Sequence, residues 1–369
     1  MALGILEPRA KKVPGTANVL DEEWKRDPTL KRDKTGNIIL VPQPSEDPND
    51  PLNWPLWQRD LILLLLCVVA AIATTASPLV AANSVVLAVV FKVKFQDAAL
   101  LTAYHLCGVG VASWLFVPLA RVWGKRHVFL FGALLMVASS AWGGSTADNL
   151  NYRSLTWARI VQGVALAPFE SLVNDVVGDL YFVHERGFCV AFTNVCLFGA
   201  AFLTPVCGIY TELVTRLLIV RNGGQYEPEF RIALVIPTLV FSAIGLYGFG
   251  IASANVEKYG WVVIEVFLAC VTISMVMGAT ASAQYLLDAH RDIAIETFTC
   301  LIIFKNLFSF VLAYYAYTWV LDRGFEKMFI IFGSIEIGIC ALSIPMYVFG
   351  KRNREFFYRH DILKLTRLR

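Results

Sequence analysis

Four polar residues in one largely apolar stretch, Arg159, Gln162, Glu170 and Asn174, have the types and spacing to move a proton or hold a charged solute. An arginine near the centre of a membrane helix costs on the order of 3 kcal/mol, so Arg159 faces a cavity or partner, or snorkels to the outer interface. Glu170 stands eleven residues further on, about three helical turns and so nearly the same face, with Asn174 one turn beyond. A carboxyl group in an apolar cavity can bind and release a proton near neutral pH, as a proton-coupled cycle needs. The alternative for Glu170 is a structural hydrogen bond to a neighbouring helix, and Pro168 bends the stripe. Farther along, Lys305 with Asn306 and then Glu336 interrupt apolar segments. Lys305 lies close enough to the cytosolic end to snorkel, whereas Glu336, nearer mid-helix, calls for a cation across the bundle or a proton.

The elements that carry these residues read as membrane helices. The 369 residues are 57% hydrophobic and 17% charged, with mean hydropathy +0.58, more apolar surface than one soluble core uses. A span needs about 20 apolar residues, and such segments begin near Leu61, Ala98, Val128, Leu155, Gly187, Ile232, Gly260, Phe298 and Met328, nine in all. Leu61 to Phe91 is too short for two crossings and a turn, and reads as one helix bent near Ser77 and Pro78 with an interfacial exit. Small-residue patches, GVGVAS (Gly108 to Ser113) and FGAAF (Phe198 to Phe202), allow close helix contact. The expectation is an all-α polytopic membrane protein.

Residues 1–58 read as a flexible cytosolic arm without a cleavable signal, ending at Trp54 and Trp57, which suit the membrane interface. Nine Lys and Arg lie in residues 1–60, seven in 351–369, and RVWGKRH (Arg121 to His127) joins the second and third spans, so all three segments belong in the cytosol. Two cytosolic ends require an even number of crossings, against nine candidates. The conflict centres on Tyr210 to Arg231, where the apolar run Leu217 to Val220 is too short to cross. The expected organisation is an arm (1–58), a first transmembrane part of five helices (59–210), a junction (211–230), a second transmembrane part of four (231–350) and a basic tail (351–369).

Several chemistries find no support. The eight cysteines sit in apolar stretches without CxxC or CxxH spacing, so they read as buried small residues, with no metal site. There is no GxxxxGK[ST] and no HExxH, which argues against a primary pump and against an enzyme. No cofactor and no nucleic-acid partner is expected. The bilayer is the expected surrounding, and the oligomeric state is not legible.

The segments DPNDPLNWP, RIVQGVALAP (Arg159 to Pro168), DLYFVHERG, GGQYEPEFR (Gly223 to Arg231) and IPMYVFGKR together resemble the drug:proton antiporter branch of fungal major facilitator superfamily transporters. The resemblance implies a twelve-helix bundle of two six-helix halves around a midplane cavity. The first five helices match the first half and the last four match helices nine to twelve, so equivalents of helices six to eight are lacking, with the join near Thr211 to Leu218. It further implies proton coupling at Arg159, Gln162 and Gly163; Glu170, Asn174 and Glu336 join the candidate proton-coupling and cavity residues on their own spacing and their place in apolar segments.

In the family's loop signature GxLxDRxGRK, Gly124, Lys125 and Arg126 fit, while Val117 replaces the first Gly and Arg121 stands where an Asp is expected, removing the usual charge lock. In the antiporter signature GxxxGPxxGG, Pro205 and Gly208 fit and Thr204 departs. The function implied is proton-coupled efflux of a small organic molecule or cation across the plasma or vacuolar membrane. The alternatives are a shortened, non-transporting membrane protein and a helical receptor.

Overall fold

The computed structural model describes residues 3–7, 15–18, 30–32, 39–198, 204–290 and 293–359. Among these the chain is nearly all helix: α1 (Leu56–Ala82), α2 (Ser84–Val90), α3 (Phe95–Trp123), α4 (Lys125–Asn149), α5 (Tyr152–Leu180), α6 (Val183–Phe198), α7 (Thr204–Arg221), α8 (Val235–Ala254), α9 (Val256–Ala289) and α10 (Ala294–Arg359). Among the described residues seven helical segments are long and apolar enough to cross a membrane. α1 runs on through Pro78, and α2 is the short exit after it.

α10 is two legs rather than one rod. Gly324 has φ 77° and ψ 163°, a region open only to glycine, and the chain reverses there. Trp319 and Phe332, thirteen residues apart, bring their ring centroids within 5.4 Å, where a straight helix would separate them by about 20 Å. Gly124 between α3 and α4 (φ 87°, ψ 149°) makes the same kind of turn.

α6 and α7 bear on the parity of the crossings, and neither is among the seven segments long and apolar enough to span by length and composition. The stretch expected to be one helix followed by a loop forms two helices, and these run antiparallel. Val183 at the start of α6 shares a buried cluster with Ile219 near the end of α7. A Cβ on Gly187 would lie 2.9 Å from Glu212 Oε2. The sixteen and eighteen residues of α6 and α7 span about 24 and 27 Å. Apolar length is not what holds α7: Glu212 and Arg216 pair one turn apart at 3.0 Å, and Thr215 is buried against Arg231. With α7 as a return leg and α10 as two, residues 222–231 lie on the same face as the α3–α4 turn.

That face is tied together by ions. Arg59 at the start of α1 donates to the Leu180 carbonyl at 3.0 Å. Arg186 of α6 bonds Asp288 of α9 at 3.0 Å, and Arg231 approaches the same carboxylate at 3.5 Å. Arg354 near the end of α10 donates to Glu227 and Glu229 at 3.0 and 2.7 Å. Described pieces of the N-terminal arm join in: β1 (Ala17–Asn18) pairs antiparallel with β2 (Gln225–Tyr226), Thr16 donates to Glu227 at 2.7 Å, and Ile5 is fully buried.

The two largest apolar clusters are one of α1, α3, α4 and α5 with Leu197 of α6, and one joining α1, α5 and α6 to α9 and the first leg of α10. α5 belongs to both, and many of its residues, from Leu155 to Leu180, are buried.

Candidate functional site

α5 positions the polar stripe, and its seating depends on two glycines. A Cβ on Gly163 would overlap the His105 carbonyl of α3, and one on Gly108 would overlap the Ile160 carbonyl of α5. Backbone contact this close requires residues without a side chain. Pro168, one turn past Val164, packs where a Cβ on Gly132 of α4 would meet its ring at 3.1 Å.

The stripe resolves into three separate polar clusters. Near the end of the bundle away from the α3–α4 turn, Arg159 is 3% exposed and turns inward. Its Nη1 donates to the Ala76 carbonyl of α1 at 3.2 Å and to Gln162 Oε1. Gln162 Nε2 passes the chain on to Ser140 of α4 at 3.0 Å. The guanidinium therefore does not reach for the interface. His105, fully buried, has Nδ1 at 3.3 Å from the Arg159 carbonyl oxygen.

Glu170 forms the second cluster. Its Oε1 accepts from Lys305 Nζ, and its Oε2 accepts from Asn306 Nδ2 at 3.0 Å, both from the first leg of α10. Lys305 thus turns toward α5 instead of snorkelling to the nearby face. Arg159 and Glu170 share one helix but not one site: they are eleven residues apart, about 16 Å along the axis, with different partner helices.

Asn174 forms the third. It accepts from Thr193 at 2.8 Å and donates to Asn194 at 3.2 Å, and Asn194 donates to Thr280 of α9 at 3.2 Å. These four residues are all at most 2% exposed, so α5, α6 and α9 are joined by a continuous buried hydrogen-bond chain. Glu336, on the second leg of α10, stands apart from all three. Its neighbour is Cys340, with Sγ at 4.0 Å from Oε1, and no cation pairs with it among the described residues.

The basic turn carries more than orientation. Lys125 Nζ is paired with both Asp175 and Asp179 at the end of α5, two carboxylates that alone would read as solvated. Arg121 pairs with Glu296 at the start of α10, Nε to Oε1 at 2.8 Å and Nη2 to Oε2 at 3.1 Å. A two-pronged contact of this kind fixes orientation as well as charge, so a tie exists at the position where the signature's Asp is missing, with its sign reversed. Gly124 supplies the turn and Arg126 is exposed. Pro205 and Gly208 fall in the first turns of α7, and their side-chain surroundings, like residues 199–203, lie outside the described residues.

Thr193, Asn194 and Thr280 escaped the sequence reading, although the pair Thr193-Asn194 inside the apolar AFTNVC was the visible signal. Among the described residues no group of three or more His, Cys, Asp or Glu is placed to hold a metal ion.

Residues 62–214 match the family model of the Major Facilitator Superfamily. The chain is similar to Protein HOL1 of Saccharomyces cerevisiae, 31% identical over 168 residues, which is 45% of this chain and 28% of that protein. It is 28% identical over 210 residues to an uncharacterized MFS-type transporter of Schizosaccharomyces pombe, covering 54% of this chain and 34% of the relative. Multidrug transporter TPO1_1 of Candida glabrata is 23% identical over 164 residues, 44% of this chain and 28% of that protein. The chain thus spans about a third of the length of the curated relatives it matches. It is a multi-pass helical membrane protein whose residues 62–214 are similar to the Major Facilitator Superfamily.

Proposed function

We propose that the chain is a proton-coupled secondary transporter that exports a small organic molecule or cation by alternating access, with Glu170 as the proton carrier. The observation that carries this reading is the Glu170–Lys305 pair. It joins α5, inside the family-matched region, to α10, outside it. Protonating the carboxylate removes the charge that holds Lys305, so the tie between the two parts of the bundle weakens when a proton arrives. The Arg121–Glu296 contact ties the start of the same leg of α10 to α3, nine residues before Lys305, which makes that leg the natural moving element.

Relatives whose names include multidrug transporters support export of organic solutes, and the plasma membrane is the proposed location. The first transmembrane part begins at residue 59 and the second covers 231–350, while α7 (Thr204–Arg221) takes the first half of the expected junction 211–230 into helix and leaves residues 222–230 to join the two parts.

A second reading is favoured by one observation. The family match stops at residue 214, beside the junction at which equivalents of helices six to eight are proposed to be absent. On this reading the bundle inserts but does not rock, since rocking needs two complete halves.

Reconstituted vesicles with an imposed pH gradient separate the two. The transporter reading expects gradient-driven movement of an organic cation that Glu170→Gln uncouples from pH. Unchanged proton dependence in Glu170→Gln removes the carrier role, and no movement by the unsubstituted chain selects the second reading.

A further inference from the structure

We infer that Arg159 is the anchor of a binding site for a small planar monocarboxylate, seated between α1, α3 and α5. The guanidinium has two edges. Nη1 is committed to the Ala76 carbonyl and to Gln162. Nε and Nη2, which together form the side-on edge, are buried and have no hydrogen-bond partner among the described residues. That edge presents two parallel N–H groups in the geometry that matches the two oxygens of a carboxylate.

Three features point to an anionic occupant. No carboxylate of the described residues pairs with Arg159, so its full charge is buried beside neutral partners only. A buried charge without a counter-ion is strongly disfavoured, and an incoming anion relieves it. The group is also held rigidly, because Ala76 and Gln162 fix Nη1 while Gln162 is fixed by Ser140, so little ordering remains to be done on binding. On α3, which packs against α5 here, His105 Nε2 and Thr102 Oγ1 are further buried polar atoms without a hydrogen-bond partner among the described residues. Close contact of α3 and α5 at Gly108 and Gly163 limits the ligand to a small one, of the size of acetate or propionate.

This site goes beyond the transport reading, whose test follows an organic cation: it adds an anion site on the same helix as Glu170, and its own test is equilibrium binding and needs no transport. The purified full chain in lipid nanodiscs is titrated with acetate, and separately with acetamide, which keeps shape and size but lacks the charge. Expected are a saturable acetate isotherm, at least tenfold weaker binding of acetamide, and at least tenfold loss of acetate binding in Arg159→Lys, which keeps the charge and loses the fork.

In case Arg159→Lys fails to fold, the infrared carboxylate stretches of isotopically labelled acetate are read on the unsubstituted chain, where a two-pronged guanidinium contact shifts their splitting from the solution value. Absence of a saturable isotherm, the result for water alone in the site, overturns the assignment. So does equal affinity for acetamide, undiminished binding by Arg159→Lys, or a solution-like splitting. Acetate binding without pH-driven transport leaves the site standing and removes only the transporter reading.

Discussion

Lys305 on the first leg of α10 and Glu170 on α5 meet as an ion pair whose second carboxylate oxygen is closed off by Asn306 at 3.0 Å. The Glu170 side chain is 12% exposed and that of Lys305 is 39% exposed, so the contact is intermediate between a surface bridge and a buried one. A double-mutant cycle of Glu170→Gln and Lys305→Met is therefore expected to give a coupling energy of about 1 kcal/mol, above most surface pairs and below a fully buried one. Thermal unfolding of the four proteins in detergent measures it. Additive single effects would show that the two side chains do not interact in solution.

The antiparallel arrangement of α6 and α7 predicts sidedness. In a background without native cysteines, Asn222→Cys and Asn149→Cys are expected to react with a membrane-impermeant maleimide from opposite sides, Asn222 from the cytosol. Labelling of both from one side would mean that α6 and α7 do not form a hairpin.

Two glycines are needed for different reasons, and the same substitution separates them. Gly163→Ala forces a methyl group onto the His105 carbonyl, and is expected to cost about 1–3 kcal/mol by pushing α3 from α5. At Gly324 nothing lies within 4 Å of an added Cβ, so Gly324→Ala costs a similar amount, about 1–3 kcal/mol, through backbone strain alone. Cross-linking between cysteines placed on α3 and α5 should slow in the first variant and stay unchanged in the second.

His290, in the turn after α9, titrates below its ordinary value because burial and then the Arg354 guanidinium disfavour the imidazolium. The folded-state value is depressed, so the unfolded chain takes up the proton first. The contribution is complete above the ordinary imidazole value of 6.5 and is lost as pH falls toward the folded value. Melting temperature should decline from pH 7.5 to 5.5, and His290→Gln should flatten that decline. An identical slope in the variant would assign the pH dependence elsewhere.

The long apolar helices were legible because lipid demands length and apolarity, which a linear sequence displays directly. α7 was not, because a helix held by Glu212–Arg216 pairing and by Thr215 against Arg231 has no such signature. The stripe on α5 was legible as helical spacing. Its division into three clusters was not, since the partners Ala76, Lys305 and Thr193 come from other helices. Arg121 looked like a lost lock because its sign was wrong for the signature, and only the placement of Glu296 reveals a compensating reversal.

The hairpin of α6 and α7 has a further consequence for how the chain is made. Two legs that enter and leave by the same face can be inserted into the bilayer together as they emerge from the ribosome, and they invert nothing translated after them. The downstream segments α8, α9 and α10 can then be delivered in the orientation their own basic residues favour, without any helix having to be turned over once it is in lipid.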